Sequence, residues 1–157
     1  MRIYSEIFQR THDIDWFVKS GNIYIHAMSF GGLLPTEVND RGRNFNIMKR
    51  VYTFLPVDNE RELIWNENYI HRRLKREDDS EEDYERRRNR YLIHFNEMAR
   101  RGLYSFDREL NDESIYHLVV RPRNPIQDKW YGGVMPEIKE DNLAWESESD
   151  CVMRVEI

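Results

Sequence analysis

Residues 13–29 constrain the fold more than any other stretch, because two β-prone runs, DIDWFVK and IYIHAMS, flank Ser20-Gly21-Asn22. A Gly-Asn pair between such runs signals a tight antiparallel hairpin. Ile14, Trp16 and Val18 alternate with Asp13, Asp15 and Lys19, and Phe17 falls on the side of the acids. With Gly21-Asn22 as the loop, Val18 faces Ile25 and Trp16 faces Ala27; with Ser20-Gly21, Val18 faces Ile23 and Trp16 faces Ile25. Both registers keep one face apolar. A one-residue slip sets His26 opposite Trp16 and mixes the faces, which a half-buried sheet disfavours. Asp13, Asp15, Phe17, Tyr24, His26 and Met28 are therefore expected on one face.

Beyond the hairpin, Phe45, Met48, Tyr52 and Leu55 recur at helical intervals and predict a helix over 44–54, interrupted ahead by Gly42 and closed by Pro56. ELIWN reads as a short strand, and the residues after Asn66 as a short helix capped by it. The longest helix is expected after Ser80, with Asp83 in a capping-box-like position, an apolar stripe of Tyr84, Tyr91, Leu92, Phe95, Met98 and Ala99, and Gly102 as its stop. LYSFD and SIYHLVVRP form a second strand pair, and CVMRVEI alternates as a last strand. Strands on both sides of a helical middle, without regular βαβ alternation, predict an α+β fold: a mainly antiparallel sheet with an N-terminal hairpin and helices packed on one face. At 157 residues one core is expected. Residues 1–136 read as a single globular domain, and 137–157 as an acidic C-terminal segment that can end in a strand of the same domain.

The net charge of −5 lies entirely in residues 137–157, which hold seven acids and two bases. A neutral body with an acidic tail lacks the basic stripe that binds phosphates, so no nucleic-acid partner is expected. No run approaches the roughly 20 apolar residues of a membrane span, and the N-terminus lacks the apolar core of a signal peptide, so no membrane association and a cytoplasmic location are expected. The one cysteine, Cys151, forms no internal disulfide and no Cys-type zinc site, and no metal ligands are assigned.

Asp13, Asp15 and His26 are the candidate catalytic residues, with His12 at the strand entrance. Two carboxylates and an imidazole on one face suit acid–base chemistry or a hard metal; the competing reading is a solvated outer face on which His26 partners Phe17 or Asp15. The Gly31-Gly32 pair is read as an exit from the hairpin, and the charge-dense stretch 72–90 as a solvated turn between two helices. Trp145 among the acids Glu146 and Glu148 joins an aromatic anchor to charges that steer a basic partner, so these three are the candidate binding residues.

Residues 22–38, NIYIHAMSFGGLLPTEV, place His26 soon after Tyr24, then the small hydroxyl residue Ser29 and a Leu34-Pro35 helix start. This segment resembles the strand-to-loop segment of some ADP-ribosyltransferase-type domains, departing from it in placing Ser29 three residues after His26. The resemblance implies a transfer reaction at the hairpin. The composition, with one domain and a surface rich in charge and aromatics, points first to a small cytoplasmic protein-binding protein of inhibitor, immunity or regulatory type whose partner is another protein. The alternative is a small hydrolase or transferase, ADP-ribosyltransferase-like, using Asp13, Asp15 and His26. No residue pattern specifies a cofactor or an oligomeric state.

Overall fold

In the computed structural model, which describes residues 2–126 and 135–157, the hairpin takes the first of the two registers. β1 (Asp15–Ser20) and β2 (Ile23–Met28) pair antiparallel, with Trp16 opposite Ala27, Phe17 opposite His26 and Val18 opposite Ile25. Gly21 has φ 58°, the left-handed conformation that a two-residue loop demands and a β-carbon strains. Five further strands complete one sheet: β3 (Leu63–Trp65), β4 (Tyr104–Glu109), β5 (Asp112–Pro122), β6 (Leu143–Trp145) and β7 (Cys151–Arg154). Their order is β1-β2-β4-β5-β7-β6, with β3 paired to the far end of β5. The pairing is antiparallel except between β2 and β4, because the chain makes three helices before it returns beside β2.

The sheet is curled and buries both faces. One face is apolar throughout, with Trp16, Val18, Ile25, Ala27, Phe106, Leu118, Cys151 and Met153 in a single cluster around Tyr116. Trp16 and Tyr116 are fully buried, their rings meet edge to face at 5.1 Å, and the indole Nε1 donates to the Tyr116 hydroxyl. That contact lets two large amphipathic rings sit in a dry core. α1 (Glu6–Thr11), capped by Ser5, packs Phe8 against this cluster. Residues 136–138 run along the free edge of β1, where Lys19 donates to the Pro136 carbonyl and Ile138 to the Lys19 carbonyl. Strand-edge groups that would template aggregation are thereby paired.

The other face lies under three helices, α2 (Arg41–Phe54), α3 (Glu67–Leu74) and α4 (Glu81–Arg100). Ile47, Val51 and Leu55 pack on Phe17 and Tyr24, while Leu92, Phe95 and Ala99 pack on Val119 and Val120. Asp15, Phe17, Tyr24 and His26 share this face as their alternation requires, but it is roofed by α2 and α4 and not solvated.

Local signals set the helix starts. Ser80 accepts from the Asp83 amide, and Asn66 from the Tyr69 amide, as their sequence context predicts. Gly42 does not interrupt α2. Asp40 caps the helix through the Arg43 amide, which leaves Gly42 in the first turn, where a good cap outweighs its weak propensity. α1 and β6 were not anticipated, since six residues and three residues are too short to show a period. Among the described residues no helix is long and apolar enough to cross a membrane.

Asn66 is 1% exposed and, besides capping α3, donates its amide to the Leu118 carbonyl at 3.0 Å and to Asp150 at 3.2 Å. It therefore joins α3, β5 and the β6–β7 turn. Asn66→Ala should cost about 1–3 kcal/mol by urea unfolding, through a lost cap and a buried carbonyl left without its donor.

Candidate functional site

The predicted face brings Asp15 and His26 into direct contact and adds a residue that sequence reasoning missed, His94 of α4. Asp15 Oδ1 accepts from His26 Nε2 at 2.6 Å and from His94 Nε2 at 2.7 Å. The imidazole rings stand edge to face, 5.3 Å apart. Behind each ring lies a further polar partner: Ser105 Oγ is 2.6 Å from His26 Nδ1, and Glu97 Oε2 is 3.5 Å from His94 Nδ1. His26 is fully buried, whereas the side chains of Asp15 and His94 are 21% and 33% exposed.

These environments separate the three groups electrostatically. Burial holds the His26 imidazole below its usual pKa, against the opposing Asp15 carboxylate, and so favours its neutral form, in which Nε2 donates to Asp15 and Nδ1 accepts the Ser105 hydroxyl. The bond to Asp15 holds His94 above its usual value. Burial works against ionisation of Asp15, but the two imidazoles overcome it and hold its carboxyl well below the usual range.

Asp13 lies just before β1, and its carboxylate accepts from the Phe30 amide at 2.7 Å. Phe30 is a non-glycine residue at φ 47°, followed by Gly31 at φ 71°. The strained exit from the hairpin is thus held by Asp13, by the Arg73 guanidinium 4.7 Å above the Phe30 ring, and by Arg108 on the Phe30 carbonyl. Burial raises the Asp13 carboxyl, with the Phe30 amide opposing. Ser29 and His26, the residues that carry the resemblance noted above, are both fully buried; Ser29 Oγ accepts the Ile14 amide.

Asp13 and Asp15 line a groove of about 560 Å³ together with His12, Tyr4, Phe8, Phe45 and Met48, with Arg2 and Arg41 also on its walls. Its place follows from the chain path: α1 leads into β1, and α2 crosses β1 with Asn44 donating to the Asp15 carbonyl. His12 stacks on Phe8 at 3.8 Å.

A second buried network lies further along the same face. Arg73 is not solvated as its charge-dense surroundings suggested; its side chain is 7% exposed and reaches Asp107, the Tyr69 hydroxyl and the Arg108 carbonyl. Tyr91 donates to Asp107 at 2.5 Å, and His117 joins Glu109. Burial pushes the Asp107 carboxyl up to about 6, partly offset by Arg73.

The candidate binding residues lie at the opposite sheet edge. Trp145 on β6 is 42% exposed, meets the Tyr104 ring edge to face, and carries the Arg121 guanidinium 5.6 Å above its own ring. Glu146 and Glu148 are exposed beside it in the β6–β7 turn, where the Glu148 carbonyl accepts from Arg121.

A sequence signal for His94 existed: it sits three residues after Tyr91 and four before Met98, a spacing that puts this polar ring on the predicted apolar stripe of α4. Searches against protein-family models, curated proteins and solved structures find no match to this chain.

His26→Ala should cost about 3 kcal/mol by urea unfolding, since it takes one of two donors from the half-buried Asp15 carboxylate, leaves the buried Ser105 hydroxyl without its partner and opens a cavity; His94→Ala, more exposed, should cost about 1 kcal/mol. A second expectation concerns pH. The folded protein holds the Asp107 proton more tightly than the unfolded chain between pH 3.8 and about 6, so this group's contribution to stability is full below that interval and declines as pH rises through it. Asp107→Asn should flatten the stability curve over that range.

Proposed function

We propose that the groove between α1, α2 and the start of β1 is the reaction site of a small cytoplasmic hydrolase or group transferase, with Asp13 and Asp15 as its working carboxylates. The observation that carries this reading is the anchoring of Asp15. A surface aspartate samples several rotamers, whereas this one is held by two imidazoles while it lines a groove that a second carboxylate, Asp13, also lines. Asp13, its carboxyl raised by burial, is the group suited to move a proton to and from a bound substrate, while Asp15, held ionised by two imidazoles, places a fixed negative charge beside the reacting groups. The groove volume suits a small molecule, and Phe8, Phe45 and Met48 offer it an apolar wall. His26 acts through Asp15 as a positioning residue, because its complete burial keeps it from any substrate.

A second reading, binding to another protein, is supported by Trp145. An exposed indole on an edge strand, backed by Arg121 and flanked by Glu146 and Glu148, suits a partner with a basic, grooved surface.

The test is a panel of chromogenic phosphoesters, glycosides, carboxyl esters and amides, read for turnover with the wild type and with Asp13→Asn and Asp15→Asn. Turnover of one class, lowered about 100-fold or more by each variant without a matching loss of fold by circular dichroism, is the expected outcome. Absence of turnover across the panel, or turnover indifferent to both variants, overturns the enzymatic reading in favour of the protein-binding one.

A further inference from the structure

We infer that Asp15, His26 and His94 form a site for a first-row divalent cation of the zinc type. Asp15 Oδ1 and the two histidine Nε2 atoms all lie within 4.8 Å of one another, although they come from β1, β2 and α4. A carboxylate oxygen carries two lone pairs, and the two imidazoles fill both of those on Oδ1. Three ligand atoms this close to one another lie within reach of a single ion placed among them.

The outer partners fit the same reading. A metal-bound histidine presents one nitrogen to the ion and donates the other N–H outward to an oxygen, which fixes the ring. His26 has Ser105 Oγ at that position and His94 has Glu97 Oε2, itself facing Arg101. Two imidazoles and a carboxylate are the ligand types that suit zinc and its neighbours and not magnesium or calcium, which take oxygen. Bonds of about 2.0–2.2 Å place ligand atoms roughly 3–3.5 Å apart, so each Nε2 withdraws from Oδ1 by less than about 1 Å while the two rings draw together. His94, partly exposed on α4, has room for that shift. The cation takes the place of the Nε2 protons, and each ring then carries its proton on Nδ1, toward Ser105 or Glu97. Three protein ligands leave a coordination position for water, and Asp15 opens onto the groove.

Cation binding at these three residues is separate from the proposed reaction and is readable without a substrate. Metal-stripped full-length protein is titrated with Zn²⁺ by calorimetry and with Co²⁺ by its d–d absorption. One ion per chain is expected, with the Co²⁺ spectrum of a nitrogen and oxygen site and no thiolate band. His94→Ala and Asp15→Asn should each weaken Zn²⁺ binding by about 100-fold, and Glu97→Gln, which leaves all three ligands in place, by about 10-fold. His71→Ala, a histidine outside the cluster, should leave it unchanged. Should His94→Ala fail to fold, Glu97→Gln and Asp15→Asn decide the matter alone. No binding, or binding unaltered by Asp15→Asn and Glu97→Gln, overturns the site; one tight ion with a silent substrate panel upholds it and sinks the proposed reaction instead.

Discussion

One carboxylate oxygen ties the N-terminal hairpin to the longest helix. Asp15 Oδ1 takes hydrogen bonds from β2 through His26 and from α4 through His94. Without those two donors an aspartate at this place would bear a desolvation cost with nothing to offset it, while Met98 of α4 adds an apolar contact with Phe17 and Tyr24 of the strand pair. The groove depends on the same contact, since Asp15 forms part of its lining while Asn44 of α2 binds the Asp15 backbone.

The two faces of the sheet divide the work. The curled inner face holds apolar side chains and one buried aromatic pair, Trp16 with Tyr116, and it carries the cohesion of the fold. The helix-covered face mixes apolar contacts with buried polar groups: Asp15, His26 and His94 at one place, and Arg73, Asp107 and Tyr91 at another. Polar networks of this kind are costly when incomplete and rigid when complete. They stand beside the groove and the strained Phe30 turn, where a fixed geometry has chemical use.

Much of the fold was legible because short-range rules decide it. Alternation and the turn signal limited β1 and β2 to two registers with one apolar face, of which the structure takes the one with Gly21-Asn22 as the loop, and Asn66 and Ser80 marked helix starts through hydroxyl or amide oxygens that reach amides three residues on. Chain-order reasoning was blind to depth. Nothing in the run DIDWFV distinguishes a polar face toward water from one under a helix, and nothing in RRLKRE distinguishes Arg73, buried on Asp107, from its solvated neighbours.

The sequence by itself determined which residues share a face, because strand and helix periods are set by backbone geometry within a few residues. It placed Asp15 with His26 and grouped Trp145 with Glu146 and Glu148. Only the tertiary structure decided what covers each face, since His94 lies 79 residues from Asp15 in the chain and meets it only after α4 has crossed the sheet. Contacts of that separation depend on how layers stack, and stacking is governed by burial summed over the whole molecule, which no local pattern records.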